Sequence, residues 1–139
     1  MAFVMVKVPT DITIPQWSTE EIERFFGPVK LYSLDYYEMW VGTGKFGDGL
    51  DFLYEGYGLG TNYGYVTGMT GWQDDDFEFI IDEFKVSTIA FASFTPGDPL
   101  SSLGIFMGAD EMYGSKGNDV FKSFGGPDYL DGDKGNDSL

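Results

Sequence analysis

Cysteine and histidine are both absent from the 139 residues, and the two gaps remove whole classes of chemistry. Without a thiol there is neither a disulfide staple nor a thiolate zinc site. Without an imidazole, the common catalytic triads and the His-ligated zinc centres fall away. Basic residues are scarce as well: eight Lys and Arg stand against 23 Asp and Glu, for a formal charge of −15. Such a surface repels a nucleic-acid backbone and an anionic membrane face, so neither is expected as a partner. Long apolar runs are missing too. The first 17 residues, MAFVMVKVPTDITIPQW, have no basic segment ahead of an extended apolar core, so they read neither as a cleavable signal peptide nor as a membrane span.

What the chain does have is a repeat. Asp110, Asp119, Asp128 and Asp137 lie nine residues apart. Each has a glycine two residues before it (Gly108, Gly117, Gly126, Gly135) and a large apolar residue two after it (Met112, Phe121, Leu130, Leu139). In such a unit the glycine allows a left-handed turn, the carboxylate points into that turn, and the apolar residue opens a short strand facing inward. Two consecutive units then make one coil of a parallel β-roll.

The pattern resembles the RTX (haemolysin-type) nonapeptide GGxGxDxUx. The likeness is close in residues 114–122, GSKGNDVFK, and 132–139, GDKGNDSL. The other two units depart from it: Ser123 and Phe124 replace the first two glycines of the third, with Pro127 before its Asp, and the first keeps only Gly108, Asp110 and Met112. The resemblance implies bound Ca2+, which takes six to eight oxygens. It implies that turns two repeats apart share an ion. One site would use Asp119 and Asp137 with the carbonyls of Gly114, Lys116, Asp133 and Gly135. The other would use Asp110 and Asp128 with the carbonyls of Met107, Phe124 and Gly126. It further implies a secreted, extracellular or cell-surface protein exported by type I secretion through an uncleaved C-terminal signal. Since Leu139 falls within a repeat, the chain reads as a fragment. Neither GxSxG nor HExxH is present, which excludes the lipase and protease passengers common beside such repeats.

Before Gly108 the texture differs. That part holds 21 of the 25 aromatic residues, including Trp17, Trp40 and Trp72, enough large side chains for a core that needs no disulfides. Residues 3–8 and 10–14 alternate as strands, the first closed by Pro9. Ser18-Thr19-Glu20-Glu21 has the spacing of a capping box and starts a short helix that Gly27-Pro28 ends. Strands are expected at 29–34, 36–41, 52–54, 63–67, 77–86 and 88–94, separated by glycine-rich turns, with a bulge where the apolar phase switches at Ile80/Ile81. Asp98-Pro99 opens a second short helix, through about Phe106. The expected class is all-β: a small antiparallel sandwich or barrel at residues 1–104 with one or two short helices, then a short parallel β-roll at 105–139.

Other constellations are weaker. Residues 42–47, GTGKFG, fit GxGxxG, but Asp48-Gly49 follows where a dinucleotide site needs a helix, so a β-hairpin is expected. Asp74-Asp75-Asp76 with Glu78, Asp82 and Glu83 could furnish a cation site or a carboxylate pair for polysaccharide cleavage; a solvated loop is the plainer reading. Tyr54, Tyr57, Tyr63 and Tyr65 could present a platform for carbohydrate or another surface ligand. The favoured function is calcium binding that stabilises the roll, without enzymatic activity. The alternatives are a polysaccharide-active enzyme and a self-assembling surface protein. Chelation is expected to disorder residues 108–139 while those before about Leu100 stay folded, because two coils with one core residue per repeat cannot offset their own ordering entropy.

Overall fold

The computed structural model describes residues 3–6, 24, 29–43, 49–74, 76–93, 104–106 and 108–139. Among these residues, where Arg24 is also helical, the elements in order are β1 (Phe3–Val6), β2 (Val29–Leu34), β3 (Glu38–Thr43), β4 (Leu50–Tyr57), β5 (Tyr65–Gln73), β6 (Asp76–Asp82), β7 (Val86–Ser87), the short helix α1 (Thr88–Phe91), β8 (Glu111–Tyr113) and β9 (Tyr129–Asp131). The expected all-β class holds. From β2 to β6 the strands form an antiparallel meander, as short connections between alternating segments dictate. Of the GTGKFG motif, Gly42 and Thr43 end β3, and Gly42 pairs with Asp51 of β4. Residues 44–48 themselves lie outside the described set.

The N-terminal strand does not sit at an edge. β1 lies antiparallel to β6 on one side and parallel to β8 on the other, and β9 continues the sheet parallel to β8. The sheet therefore runs β2-β3-β4-β5-β6-β1-β8-β9, with β7 paired to the far half of β5. Registered residues share a face. One row of partners crosses the whole array: Met39 to Tyr54, Tyr54 to Met69, Met69 to Ile81, Ile81 to Val4, Val4 to Met112, and Met112 to Leu130. The core follows that row. Tyr54, Val66, Met69, Ile81, Phe84, Val86, Phe91, Phe106, Met112 and Phe121 form one buried cluster, with Met39, Val41, Phe52, Phe79 and Leu130 packed against it. Tyr54 meets Phe91 edge-on, ring centroids 4.8 Å apart, which seats α1 against the sheet.

Three local expectations change. The stretch expected as a strand at 88–94 starts as a helix, because Ser87 caps it: Ala90 donates to Ser87 Oγ at 3.2 Å. Thr88 Oγ1 in turn donates to Thr61 O at 2.7 Å, tying the helix start to the β4–β5 turn. The bulge in β6 falls at Glu78 rather than at Ile80/Ile81. Gly71 pairs with Phe79 and Trp72 with Phe77, so Glu78 is the extra residue. Ile80 then faces away from the core beside Met5 while Ile81 is buried, which gives the phase change without a break between them. Of the helix expected from Asp98, only residues 104–106 are described, and they include a turn, with Gly104 at φ 67°. The strand at 10–14 and the capping box at Ser18 lie outside the described residues. No described helix is long and apolar enough to cross a membrane.

Candidate metal centre

The nonapeptide period becomes geometry through register. Glu111, Met112 and Tyr113 pair with Tyr129, Leu130 and Asp131, and Val120 bridges Ser138 in parallel. Every one of these steps is eighteen residues, two repeats per coil. The alternating apolar residues therefore point inward from opposite sides. Met112 is fully buried and Phe121 is 1% exposed, whereas Leu139, at the same repeat position in the last unit, is 57% exposed.

The same register stacks the aspartates in pairs. On one edge Asp110 N–H donates to Asp128 Oδ1 at 2.9 Å, and Tyr129 N–H donates to Asp110 O at 2.8 Å. On the other, Asp119 N–H donates to Asp137 Oδ1 at 2.9 Å, and Ser138 N–H to Asp119 O at 2.9 Å. Asp110 and Asp119 are 1% and 0% exposed. Burying a carboxylate this deeply requires hydrogen bonds or a cation to offset lost hydration. Asp119 has both backbone and hydroxyl help: Oδ2 accepts from Ser115 N–H at 2.8 Å and from Ser115 Oγ at 3.0 Å. The Ser115 hydroxyl oxygen also accepts from Gly117 N–H at 3.1 Å, closing the turn.

Oxygens crowd the space between successive turns. A Cβ on Gly114 would lie 2.6 Å from Gly132 O and 2.9 Å from Asp119 Oδ2. One on Gly132 would collide with Asp137 Oδ2, one on Gly135 with Gly117 O, and one on Gly126 with Gly108 O. Glycine is thus required where a carbonyl of the neighbouring coil or the aspartate carboxylate of the same turn presses on the backbone. Among the described residues no three acidic side chains converge on a common point. A cation here must be completed by carbonyls, and a set of carboxylate and carbonyl oxygens without nitrogen or sulfur fits a hard, high-coordination ion such as calcium.

Of the anticipated ligands, Gly114, Asp119, Gly135 and Asp137 are gathered on one edge, together with Gly117, one of the repeated glycines, and Gly132, neither of which was among the expected ligands. Lys116 and Asp133 are exposed at the same turns, Asp133 at φ 58° with its N–H donating to Asp131 Oδ1 at 3.0 Å. On the other edge Asp110 and Asp128 meet directly, and Gly126 lies against Gly108. Met107 lies outside the described residues. Ser115 was missed by sequence reasoning, although a hydroxyl four residues before a repeat aspartate is the signal that would have found it.

The departures from the repeat pattern have local explanations. Phe124 holds φ 63°, matching Asp133 nine residues on at 58°, and Gly126 at 127° matches Gly135 at 125°. A phenylalanine in this conformation costs on the order of 1–3 kcal/mol. Its ring stacks on Phe106, centroids 6.5 Å apart and planes 12° from parallel. Pro127 is explained by its partner position. Asn136 N–H donates to Asn118 Oδ1 at 2.8 Å, but the equivalent residues on the other edge are Pro127, which has no N–H, and Ala109, which has no side-chain acceptor. Donor and acceptor are deleted together.

The acidic run before β6 divides by role. Asp74 closes a turn, donating N–H to Gly49 O at 2.7 Å and accepting from Gly49 N–H at 2.9 Å. Glu78 is buried, and that burial, followed by the nearby Asp74 charge, holds its carboxyl above the ordinary 4.5. On the outside of the roll, desolvation and then the charges of Glu111, Tyr129 and Asp131 raise the Tyr113 phenol above its usual value.

A parallel roll that repeats every two nonapeptides and lines its edges with oxygen ligands defines the class of calcium-binding β-rolls. Residues 106–139 match the RTX calcium-binding nonapeptide repeat in four copies, and repeats of this kind bind Ca2+. The stretch before residue 106 is assigned to no family. No curated protein and no solved structure matches the chain.

Proposed function

We propose that the repeats are a calcium-dependent folding element of a protein that acts outside the cell, exported by the type I route that such repeats accompany. One ion is held by the Asp119 and Asp137 carboxylates with the carbonyls of Gly114, Lys116, Asp133 and Gly135. A second is held by Asp110 and Asp128 with the carbonyls of Met107, Phe124 and Gly126. The observation that carries this reading is the eighteen-residue register, which sets Asp119 on Asp137 and Gly114 against Gly132 O across one gap. Calcium at extracellular concentration would staple a chain that has no disulfide.

Calorimetric titration of the full chain tests it. Asp119→Ala should lose at least tenfold in affinity at one site, while Asp131→Ala, an exposed residue outside the repeated position, should titrate like the parent. Equal losses in the two variants would mean that the tail attracts calcium only as diffuse charge.

The sheet ahead of the repeats is the proposed binding part. Of the tyrosines expected to form a platform, Tyr54 is buried in the core; Tyr63, with Tyr36 and Tyr37, is exposed at 93%, 54% and 64%, and rings displayed this way suit the apolar faces of sugars. Screening the calcium-loaded chain on a glycan array tests that assignment, and an empty array would remove it.

A further inference from the structure

The two edges of the roll carry the same aspartate pairing on different scaffolding. At the Asp110/Asp128 edge the position that holds Ser115 and Asp133 on the other side is filled by Phe106 and Phe124, and their rings stack. Phe106 is 1% exposed and belongs to the common core, so the stack anchors the turn at 123–126 to the folded sheet. The Phe106 ring packs on Phe124 where that residue holds the left-handed conformation of the turn, at φ 63°. The strand that follows Asp110, β8, pairs with β9 over three residues and is also bonded to β1. At the Asp119/Asp137 edge the stack and the docking on β1 have no counterpart among the described residues, and the tie to the common core is Phe121. There Ser115 and Asp133 are polar, and the turn is closed from within, by Ser115 and Gly117 around the Asp119 carboxylate.

We propose that the two edges form by different rules: the Asp110/Asp128 edge is preassembled by the Phe106–Phe124 stack and its docking on β1, whereas the Asp119/Asp137 edge orders only as calcium binds. This rests on the calcium reading above. It makes the first half-site a template on which the second is built, so the ions enter in a fixed order.

Matched backbone bonds report on each edge: Tyr129 N–H to Asp110 O, and Ser138 N–H to Asp119 O. In the chelated full chain, amide exchange at Tyr129 should be at least tenfold slower than at Ser138, and calcium should slow Ser138 to a similar rate. Phe124→Gly removes the stacked ring, keeps the left-handed backbone without strain and alters a residue already 55% exposed, so the fold survives. In that variant the chelated Tyr129 amide should exchange as fast as Ser138, and calcium should restore both. Equal exchange at the two amides in the chelated parent chain would overturn the proposal, as would a Phe124→Gly variant that keeps the parent difference. If calcium neither slows Ser138 nor gives heat on titration, it is the calcium reading itself that fails, a result distinct from ions binding to two equivalent edges.

Discussion

Replacing Phe121 by alanine tests whether the roll and the sheet share one core. Phe121 comes from the second repeat, yet it is 1% exposed and clusters with Met112, Ile81 and Val66. A buried phenylalanine removes on the order of 150–250 Å² from water. At ~25 cal/mol per Å² that corresponds to about 4–6 kcal/mol. Truncation of buried phenylalanines typically costs ~3–5 kcal/mol, since the surroundings relax only partly. Domains of this kind are stable by ~5–15 kcal/mol, so the loss is a large fraction of the total. With a urea dependence of ~1–3 kcal/mol per molar, the midpoint should fall by at least about 1 M. Trp40 and Trp72 make the useful probe, because they stack on β3 and β5 with centroids 5.4 Å apart, several strands from the substitution. Urea unfolding in saturating calcium, followed by tryptophan fluorescence, should show the full shift. Leu139→Ala, at the equivalent repeat position but 57% exposed, should stay within ~0.5 kcal/mol of the parent. A tryptophan midpoint that ignores Phe121→Ala would refute the shared core and leave the repeats as a separately melting unit.

Gly126→Ala should lower the melting temperature, since φ is 127° there and the added Cβ would meet Gly108 O; the cost is roughly 1–3 kcal/mol for the backbone alone. Its neighbour offers the control: a Cβ on Gly125 meets nothing within 4 Å, so Gly125→Ala should melt as the parent does. Glu78 makes a pH prediction. Its folded pKa is raised above 4.5 by burial and by Asp74, so the folded chain keeps a proton that the unfolded chain has released. The stability this confers is complete below about 4.5 and is lost as pH rises through the folded value. Glu78→Gln should therefore be the more stable protein at neutral pH and show a flatter profile between pH 4 and 8. Parallel melting profiles for the two proteins would contradict it.

The repeats were legible because period is visible in one dimension: a spacing of nine fixes both the inward side chains and the eighteen-residue register of the aspartates. The meander was legible for a similar reason, since alternation along residues 29–34 and in the strands after it marks faces without reference to distant partners. What the sequence does not display is who sits beside whom across long separations. Nothing in Phe3-Val4-Met5-Val6 announces that its neighbours are Phe79–Asp82 on one side and Glu111–Tyr113 on the other. The left-handed Phe124 was hidden by the same limit, because its stabilising partner is Phe106, eighteen positions away. Thr88–Phe91 was misjudged as a strand because β-branched residues and aromatics suit both states, and the hydroxyl of Ser87 settled the matter locally. The expectation that chelation releases all of 108–139 was made without the pairing of β8 with β1, and the proposal above places the breakpoint inside the roll instead.

The position of β1 gives the first coil a protective duty. A strand bonded on only one side offers a row of free amide and carbonyl groups to any other extended chain, and it invites intermolecular pairing. β8 covers that side of β1. Under the proposed order of assembly, scarcity of calcium would loosen the Asp119/Asp137 edge first, while β8 keeps its bonds to β1 and the covered side stays closed. That arrangement would separate the proposed metal-dependent ordering from the hazard of aggregation.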